Sequence, residues 1–418
     1  MYQLTTLKNG LRVASEILPG VESVAVSVSV DVGARYESAA EGGISHLLEH
    51  MAFKGTPKRS ALKIAEEFDN IGGQFNAYTS SEHTVYYAKV LKGELPLAVD
   101  ILADILINST FEPEELRKEQ GVVLQEIAAH NDTPDDLVFD LFDDRAFPAQ
   151  PLGRSILGAP EQVAAYVRDD LFAYMHTHYA PSRMVLSCAG NVSHAELVTL
   201  AEQHFTALIQ HKAPKPEPGR YSGGETRVNR KLEQLNLLMG FPSVSVHDAD
   251  YYATQLYSAI LGGGMSSRLF QQIRERRGLA YHVSSMVSAY ADCGTLVVYS
   301  ATGMNESAEL PLLIVDEMKR LTGDVSEAEL QRAKNQQKAE LLMSRESPGT
   351  VAGWMGKHLL MFGRYRELPE IVQRIDAISR ADISRIAAHT LSGAPTCAAL
   401  GPVKKLPAYE KVMARLRG

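Results

Sequence analysis

One short stretch of the chain has the residue types and the spacing to hold a metal ion and use it. In Gly42-Gly43-Ile44-Ser45-His46-Leu47-Leu48-Glu49-His50-Met51-Ala52-Phe53, His46 and His50 stand four residues apart. On a helix both imidazoles then leave the same face, about one turn apart. Glu49 follows His46 by three and points to that side, while Leu47, Leu48, Met51 and Phe53 are left to face a core. Two neutral imidazoles and a carboxylate suit zinc, and a carboxylate held beside the ion without binding it can take a proton from zinc-bound water. A third ligand is available further on. In Glu114-Glu115-Leu116-Arg117-Lys118-Glu119-Gln120-Gly121-Val122-Val123-Leu124-Gln125-Glu126-Ile127, Glu119 and Glu126 are two helical turns apart and share a face. Either completes a His/His/Glu set that leaves the fourth position to water, and the other then anchors a ligand from behind.

The elements that must position these groups are legible around them. Asn9-Gly10 between Leu7 and Leu11 is a hairpin signal. Valines alternating with small or polar residues from Val24 to Val32 predict a half-buried strand. Helices are expected at about 43–54 and about 60–71, the second ending at Gly72-Gly73, then strands Gln74–Thr79 and Thr84–Leu91. A helix from Glu94 and the long glutamate-bearing helix from Pro113 follow. Strands and then helices in this order predict an α+β domain, a mainly antiparallel sheet with helices packed on one face.

At 418 residues the chain is too long for one ordinary core, and two domains are expected. A proline-rich, charged run, His211-Lys212-Ala213-Pro214-Lys215-Pro216-Glu217-Pro218-Gly219-Arg220, reads as a semi-rigid linker. We therefore place an N-terminal domain at 1–210, the linker at 211–222 and a C-terminal domain at 223–418. The first half's grammar returns after the linker. Glu94-Leu95-Pro96-Leu97 is echoed by Glu309-Leu310-Pro311-Leu312, and Glu115-Leu116-Arg117 by Glu329-Leu330-Gln331. Val185–Val192 is echoed by Thr396–Val403, each with a glycine two residues before its last valine. Nearly constant offsets point to an internal duplication. By that offset the histidine helix falls on Ile260-Leu261-Gly262-Gly263-Gly264-Met265, which has no imidazole, so the second domain is expected to keep the fold without the metal.

Composition excludes some classes of function. A net charge of −8 argues against nucleic acid as the main partner and is compatible with basic peptides. Cys188, Cys293 and Cys397 lie far apart in apolar or small-residue runs, as buried free thiols would. No apolar run is long enough to span a membrane, and the opening stretch lacks the basic and apolar regions of a signal peptide. The expectation is a soluble bacterial cytoplasmic protein, or a mitochondrial matrix protein after presequence removal.

His46-x-x-Glu49-His50 has the inverted form of the zinc-peptidase motif. With Glu126 lying 76 residues after His50, essentially the whole chain resembles the pitrilysin and mitochondrial processing peptidase family of zinc endopeptidases. The resemblance implies one zinc per chain on His46, His50 and Glu126, with Glu119 as the supporting carboxylate and Glu49 as the general base. It also implies that the strand carrying Asn76 and Ala77 binds substrate main chain to main chain. Ser267 to Tyr281 is similar to a further family signature, in which Arg274 and Tyr281 reach an active site as donors to a substrate carbonyl or oxyanion. Single-chain members have four such domains around a clam-like chamber and this chain has two, so a homodimer is expected, or a heterodimer with a motif-lacking relative. Asp136 and Asp140, four apart just beyond the ligand helix, stand where processing peptidases hold a substrate arginine. The expected activity is hydrolysis of unfolded peptides or basic, presequence-like segments. The alternative is a non-catalytic scaffold or an obligate heterodimer subunit, of a processing peptidase or of a respiratory complex core.

Overall fold

The computed structural model describes all residues 1–418, and the chain forms two compact units. The first comprises Met1–Ala128, Ser155–Glu217 and Leu342–Arg366; the second comprises Ala129–Arg154, Pro218–Leu341 and Glu367–Gly418. Neither unit is continuous in sequence. Each takes one helical segment from the other half of the chain.

In the first unit, strands β1 (Tyr2–Thr6), β2 (Arg12–Ile17), β3 (Ser23–Val30), β4 (Gln74–Thr79), β5 (Thr84–Leu91) and β6 (Met184–Gly190) form one sheet in the order β1-β2-β6-β3-β5-β4. Only the β2–β6 pair is parallel. Gly10 has φ +93° in the turn before β2, where Asn9-Gly10 predicts a hairpin. Helices α1 (Ile44–Ala52), α2 (Ala61–Asn70), α3 (Leu95–Ile107) and α4 (Pro113–Asp132) follow the expected order. Val24, Val26, Val28 and Val30 join a core with Leu47, Leu48, Met51 and the apolar face of α3.

The expectation of helices on one face of the sheet is corrected here. The other face of β3 and β6 is covered by the helix Pro348–Phe362, through Ala25, Val185, Ala189, Val351, Ala352 and Met355. The small residues between the valines are the docking surface for this helix. Ser187 Oγ donates to the Ala352 carbonyl at 2.9 Å, and a Cβ at Gly356 would lie 2.3 Å from Ser29 Oγ. Period-two alternation reads as a solvent face because small polar residues look the same whether they meet water or a closely packed helix.

The second unit repeats the plan. Strands β7 (Gly224–Asn229), β8 (Leu235–Ser243), β9 (Ala280–Ala289), β10 (Gly294–Thr302) and β11 (Thr396–Gly401) run β7-β11-β8-β10-β9. This is the first order without its outermost strand, and again one pair, β7–β11, is parallel. Gly190 and Gly401 end the equivalent strands at φ +120° and +126°. Helix α5 (Pro134–Ala146) covers one face through Val138, Phe142 and Ala146 on Leu238, Val297, Ala398 and Leu400. The counterpart of α1 is the helix Tyr251–Gly262, not 260–265, because the connection after β8 is shorter than the one after β3. It too carries no histidine. Cys188 and Cys397 are buried free thiols, whereas Cys293 is half-buried, its run lying at a strand connection. No helix is long and apolar enough to cross a membrane.

Candidate active site

Helix α1 is set by its first turn. Gly43 adopts φ +83°, and a Cβ there would lie 2.6 Å from the Leu157 carbonyl oxygen and 2.8 Å from Gly158 Cα, so only glycine fits. The Glu37 carboxylate accepts from the amides of Gly43 and Ser45 at 2.9 Å each, satisfying donors that the helix itself leaves open. Leu47, Leu48 and Met51 are buried, which fixes the rotation of the helix and turns His46, Glu49 and His50 away from the core. Helix α4 is anchored by Leu116, Val123 and Ile127 in the same core, and by Gln120, which donates to the carbonyls of Val163 and Tyr166.

Between these helices His46, His50 and Glu126 bring one ligand atom each to within 4.8 Å of one another. Glu126 Oε2 lies 3.7 Å from His46 Nε2 and 3.6 Å from His50 Nε2. Glu119 is 7% exposed and stands on the far side of His50, with Oε2 3.1 Å from Nδ1 and Oε1 2.7 Å from Lys54 Nζ. A carboxylate paired with lysine accepts, so His50 Nδ1 is the donor to Glu119, and Nε2 is the ring nitrogen turned to Glu126. Burial is the main cause that pushes His46 down to about 4, and a positive charge on His50 would push the same way, so His46 is neutral near pH 7.

The residues fit a metal ion. Two imidazole nitrogens with a carboxylate oxygen 3.6–3.7 Å away are beyond hydrogen-bond length. Two ligands about 2.0–2.1 Å from one tetrahedral ion are themselves about 3.4 Å apart. Two imidazole nitrogens converging on a carboxylate oxygen at this separation make an arrangement that a shared cation stabilises. Zinc sites commonly set a carboxylate behind a ligand histidine, and Glu119 stands in that position behind His50. Replacing Glu119 with Gln is expected to weaken zinc affinity about 10–100-fold, read by competition with a chelating dye. Unchanged affinity would remove Glu119 from this role.

Glu49 lies beside the set. Thr79 on β4 donates its hydroxyl to Glu49 Oε2 at 2.6 Å, and the Thr79 backbone also hydrogen-bonds the Glu49 carboxylate. Burial raises the Glu49 pKa, against the hydrogen bonds from Thr79, which lower it. Three supports escaped the sequence reading. Glu37 caps α1 from outside the motif, and only its folded position reveals it. Thr79 shares a strand face with Ala77, and Lys54 follows His50 by four, so helix and strand periodicity could have flagged both.

Asn76 and Ala77 lie on β4, at the free edge of the sheet beside this site. Asn76 Oδ1 accepts from the Ala77 amide at 2.8 Å. The remaining candidates belong to the second unit. Arg274 and Tyr281 are brought together, the guanidinium carbon lying 4.7 Å from the Phe270 ring centre and 4.8 Å from that of Tyr281. Tyr281 is 76% exposed on β9, the edge strand of its sheet. Asp136 is exposed on α5, and Asp140 one turn on is 2.9 Å from His130 Nε2.

A duplicated α+β domain, with the inverted His/Glu/His helix in the first copy and none in the second, defines a class that comparison with known proteins identifies. Residues 12–160 match the family described as Insulinase (Peptidase family M16), and residues 166–337 match the Peptidase M16 inactive domain. A Rickettsia bellii (strain RML369-C) protein named "Uncharacterized zinc protease" is 43% identical over 402 residues, covering 96% of this chain and 98% of that one. The chain belongs to the M16 (insulinase/pitrilysin) family. The fold is shared with a crystal structure of a protease from Helicobacter pylori, with a TM-score of 0.90, 23% identity and coverage of 96% of this chain and 99% of that one. It is also shared with a chain of Complex III2 from Candida albicans, Inz-5 bound, with a TM-score of 0.89, 21% identity and coverage of 99% of both chains.

Proposed function

We propose that the protein is a zinc-dependent endopeptidase for unfolded peptides, with His46, His50 and Glu126 holding the ion. The observation that carries this reading is the approach of Glu126 Oε2 to both imidazole Nε2 atoms at 3.6–3.7 Å, with Glu49 alongside. A zinc ion held there supplies a Lewis acid that makes water nucleophilic near neutral pH and polarises the scissile carbonyl. Glu49 receives the proton of the attacking water at Oε1 and passes it to the leaving amine, while Thr79 keeps Oε2 in place. Glu119 and Lys54 hold the His50 ring so that Nε2 faces the ligand set. The free edge of β4 receives the substrate as a further strand, with Ala77 offering main-chain groups and Asn76 holding the peptide backbone.

Arg274 and Tyr281 are proposed to donate to the substrate carbonyl or oxyanion, each serving the site of a partner in a homodimer. A 1:1 mixture of inactive Arg274→Ala and Glu49→Gln proteins would then recover about a quarter of wild-type activity, since half the dimers are mixed and each has one complete site. No recovery after demonstrated subunit exchange would put the pair in its own chain's site or out of the reaction. Asp136 and Asp140 are proposed to hold a basic side chain of the substrate.

The deciding experiment is mass-spectrometric cleavage mapping on a mixture of unstructured peptides, some rich in arginine. The zinc-loaded protein is expected to cut them, to stop with a chelator and to resume with zinc. No cuts by a zinc-loaded protein would favour an obligate heterodimer subunit, and neither cuts nor zinc would favour a scaffold.

A further inference from the structure

The edge strand β4 presents two different faces. Phe75, Ala77 and Thr79 point toward the helices. The Phe75 ring centre is 5.2 Å from that of Phe53 and 4.4 Å from that of Phe68, Ala77 is buried, and Thr79 reaches Glu49. Alternation sends Gln74, Asn76 and Tyr78 the other way, and all three are exposed. On β5 the same outward face carries Tyr87, Lys89 and Leu91, also exposed. Tyr87 stands opposite Asn76, and its ring centre is 6.4 Å from that of Tyr78.

The backbone of β4 is turned so that these side chains would meet an added strand. Ser80 and His83 form a hydrogen-bonded pair at the hairpin, Ser80 N–H donating to the His83 carbonyl at 2.8 Å. Antiparallel alternation then makes Thr79, Ala77 and Phe75 the positions whose N–H and C=O groups face the open edge. The Ala77 amide agrees, since it donates to the Asn76 side chain. An incoming peptide would displace Asn76 Oδ1 and pair with Ala77. In either direction of the added strand, the peptide residue beside Ala77 projects toward α1, and the residues on either side of it project to the face of Tyr78, with Tyr87 one strand further in, behind Asn76.

We propose that Tyr78 and Tyr87 form an aromatic subsite on the sheet face turned away from the metal ligands, selecting aromatic or β-branched side chains at every second position of the bound peptide. The inference rests on the peptidase reading above and names its substrate class. Side chains on directly opposed strand positions have Cβ atoms about 4.5–5.5 Å apart, and aromatic partners there gain most from an aromatic or β-branched neighbour. The outward face of β4 and β5 carries one charged side chain, Lys89, and it is positive, so arginine is not selected at these positions. Any basic preference must be read elsewhere.

The test compares fluorescein-labelled twelve-residue peptides of Gly, Ser, Asn and Gln carrying two phenylalanines, placed either two apart or adjacent, so that composition is constant and only the facing differs. Binding is measured by anisotropy on zinc-loaded Glu49→Gln protein, which removes turnover from the readout. Phenylalanines two apart are expected to bind about two- to fivefold more tightly than adjacent ones, and than two arginines at the same spacing. Tyr78→Ala and Tyr87→Ala should each shrink the difference, whereas Tyr78→Phe should keep it; Tyr78→Thr, which preserves strand propensity, serves if the alanine variant misfolds. Equal affinity for the two spacings, or a difference unchanged in the tyrosine variants, overturns the subsite. In wild-type protein, kcat/KM for the same peptides should follow the same order, mainly through KM. Tight, spacing-dependent binding without cleavage by wild type would instead leave the subsite standing and sink the peptidase reading.

Discussion

Exchanging Glu49 for glutamine is expected to lower kcat on an unstructured peptide by about two to four orders of magnitude, the usual contribution of a positioned general base. Zinc content should be unchanged. The two predictions belong together because of where Glu49 sits. It leaves α1 beside the imidazoles, and its Oε2 accepts from the Thr79 hydroxyl at 2.6 Å, so it is oriented from the strand. Glutamine has the same shape and keeps a carbonyl oxygen for Thr79. What it lacks is a basic oxygen at the Oε1 position. A variant with full zinc, an unchanged far-ultraviolet spectrum and turnover close to wild type would assign the proton transfer to another group. Loss of zinc together with turnover would make Glu49 a structural support of the ligands.

Exchanging His50 for alanine is expected to abolish stoichiometric zinc binding and reduce peptide hydrolysis to background. His50 has two roles that alanine removes at once. Its Nε2 is one of three converging ligand atoms, and its Nδ1 is the partner of Glu119. Two ligands fall short of the three protein ligands that a catalytic zinc site uses, with its fourth position left to water. The measurement is metal content after dialysis, together with thermal unfolding with and without added zinc. Ligand that binds only the native state stabilises it by mass action, so zinc should raise the melting temperature of wild type and leave that of His50→Ala unmoved. Retained stoichiometric zinc would mean that the ion is held elsewhere, and the assignment of His46 and Glu126 would fall with it.

Much of this site is local, and for that reason it was legible in the sequence. A four-residue interval puts two side chains on one helix face whatever the tertiary structure, so His46 and His50 were bound to converge once α1 formed. The pair Gln74–Thr79 and Thr84–Leu91 has the limits that residue type and turn chemistry predict. The duplication was legible because two copies of a sheet need similar residues at similar intervals, and the two strand orders agree apart from β1. The positioning hydrogen bonds were harder. Glu37 and Thr79 are ordinary residues in ordinary places until folding sets them against α1.

What sequence could not determine is which surfaces meet. The apolar stripe Val138, Phe142 and Ala146 marks α5 as a helix with one buried face, yet that face packs on strands whose residues lie about a hundred or more positions later. The helix Pro348–Phe362 reaches back to β3 and β6 in the same way. Hydrophobic patterning specifies that a face is buried; it carries no address for the partner. The same division runs through the candidate metal site. Spacing placed Glu119 and Glu126 on one face of α4 and left open which of them meets the imidazole nitrogens that point into the site. The packing of α4 against α1 decides it, bringing Glu126 to Nε2 of both histidines and Glu119 to Nδ1 of one, because two turns of helix separate the carboxylates by more than the width of an imidazole ring.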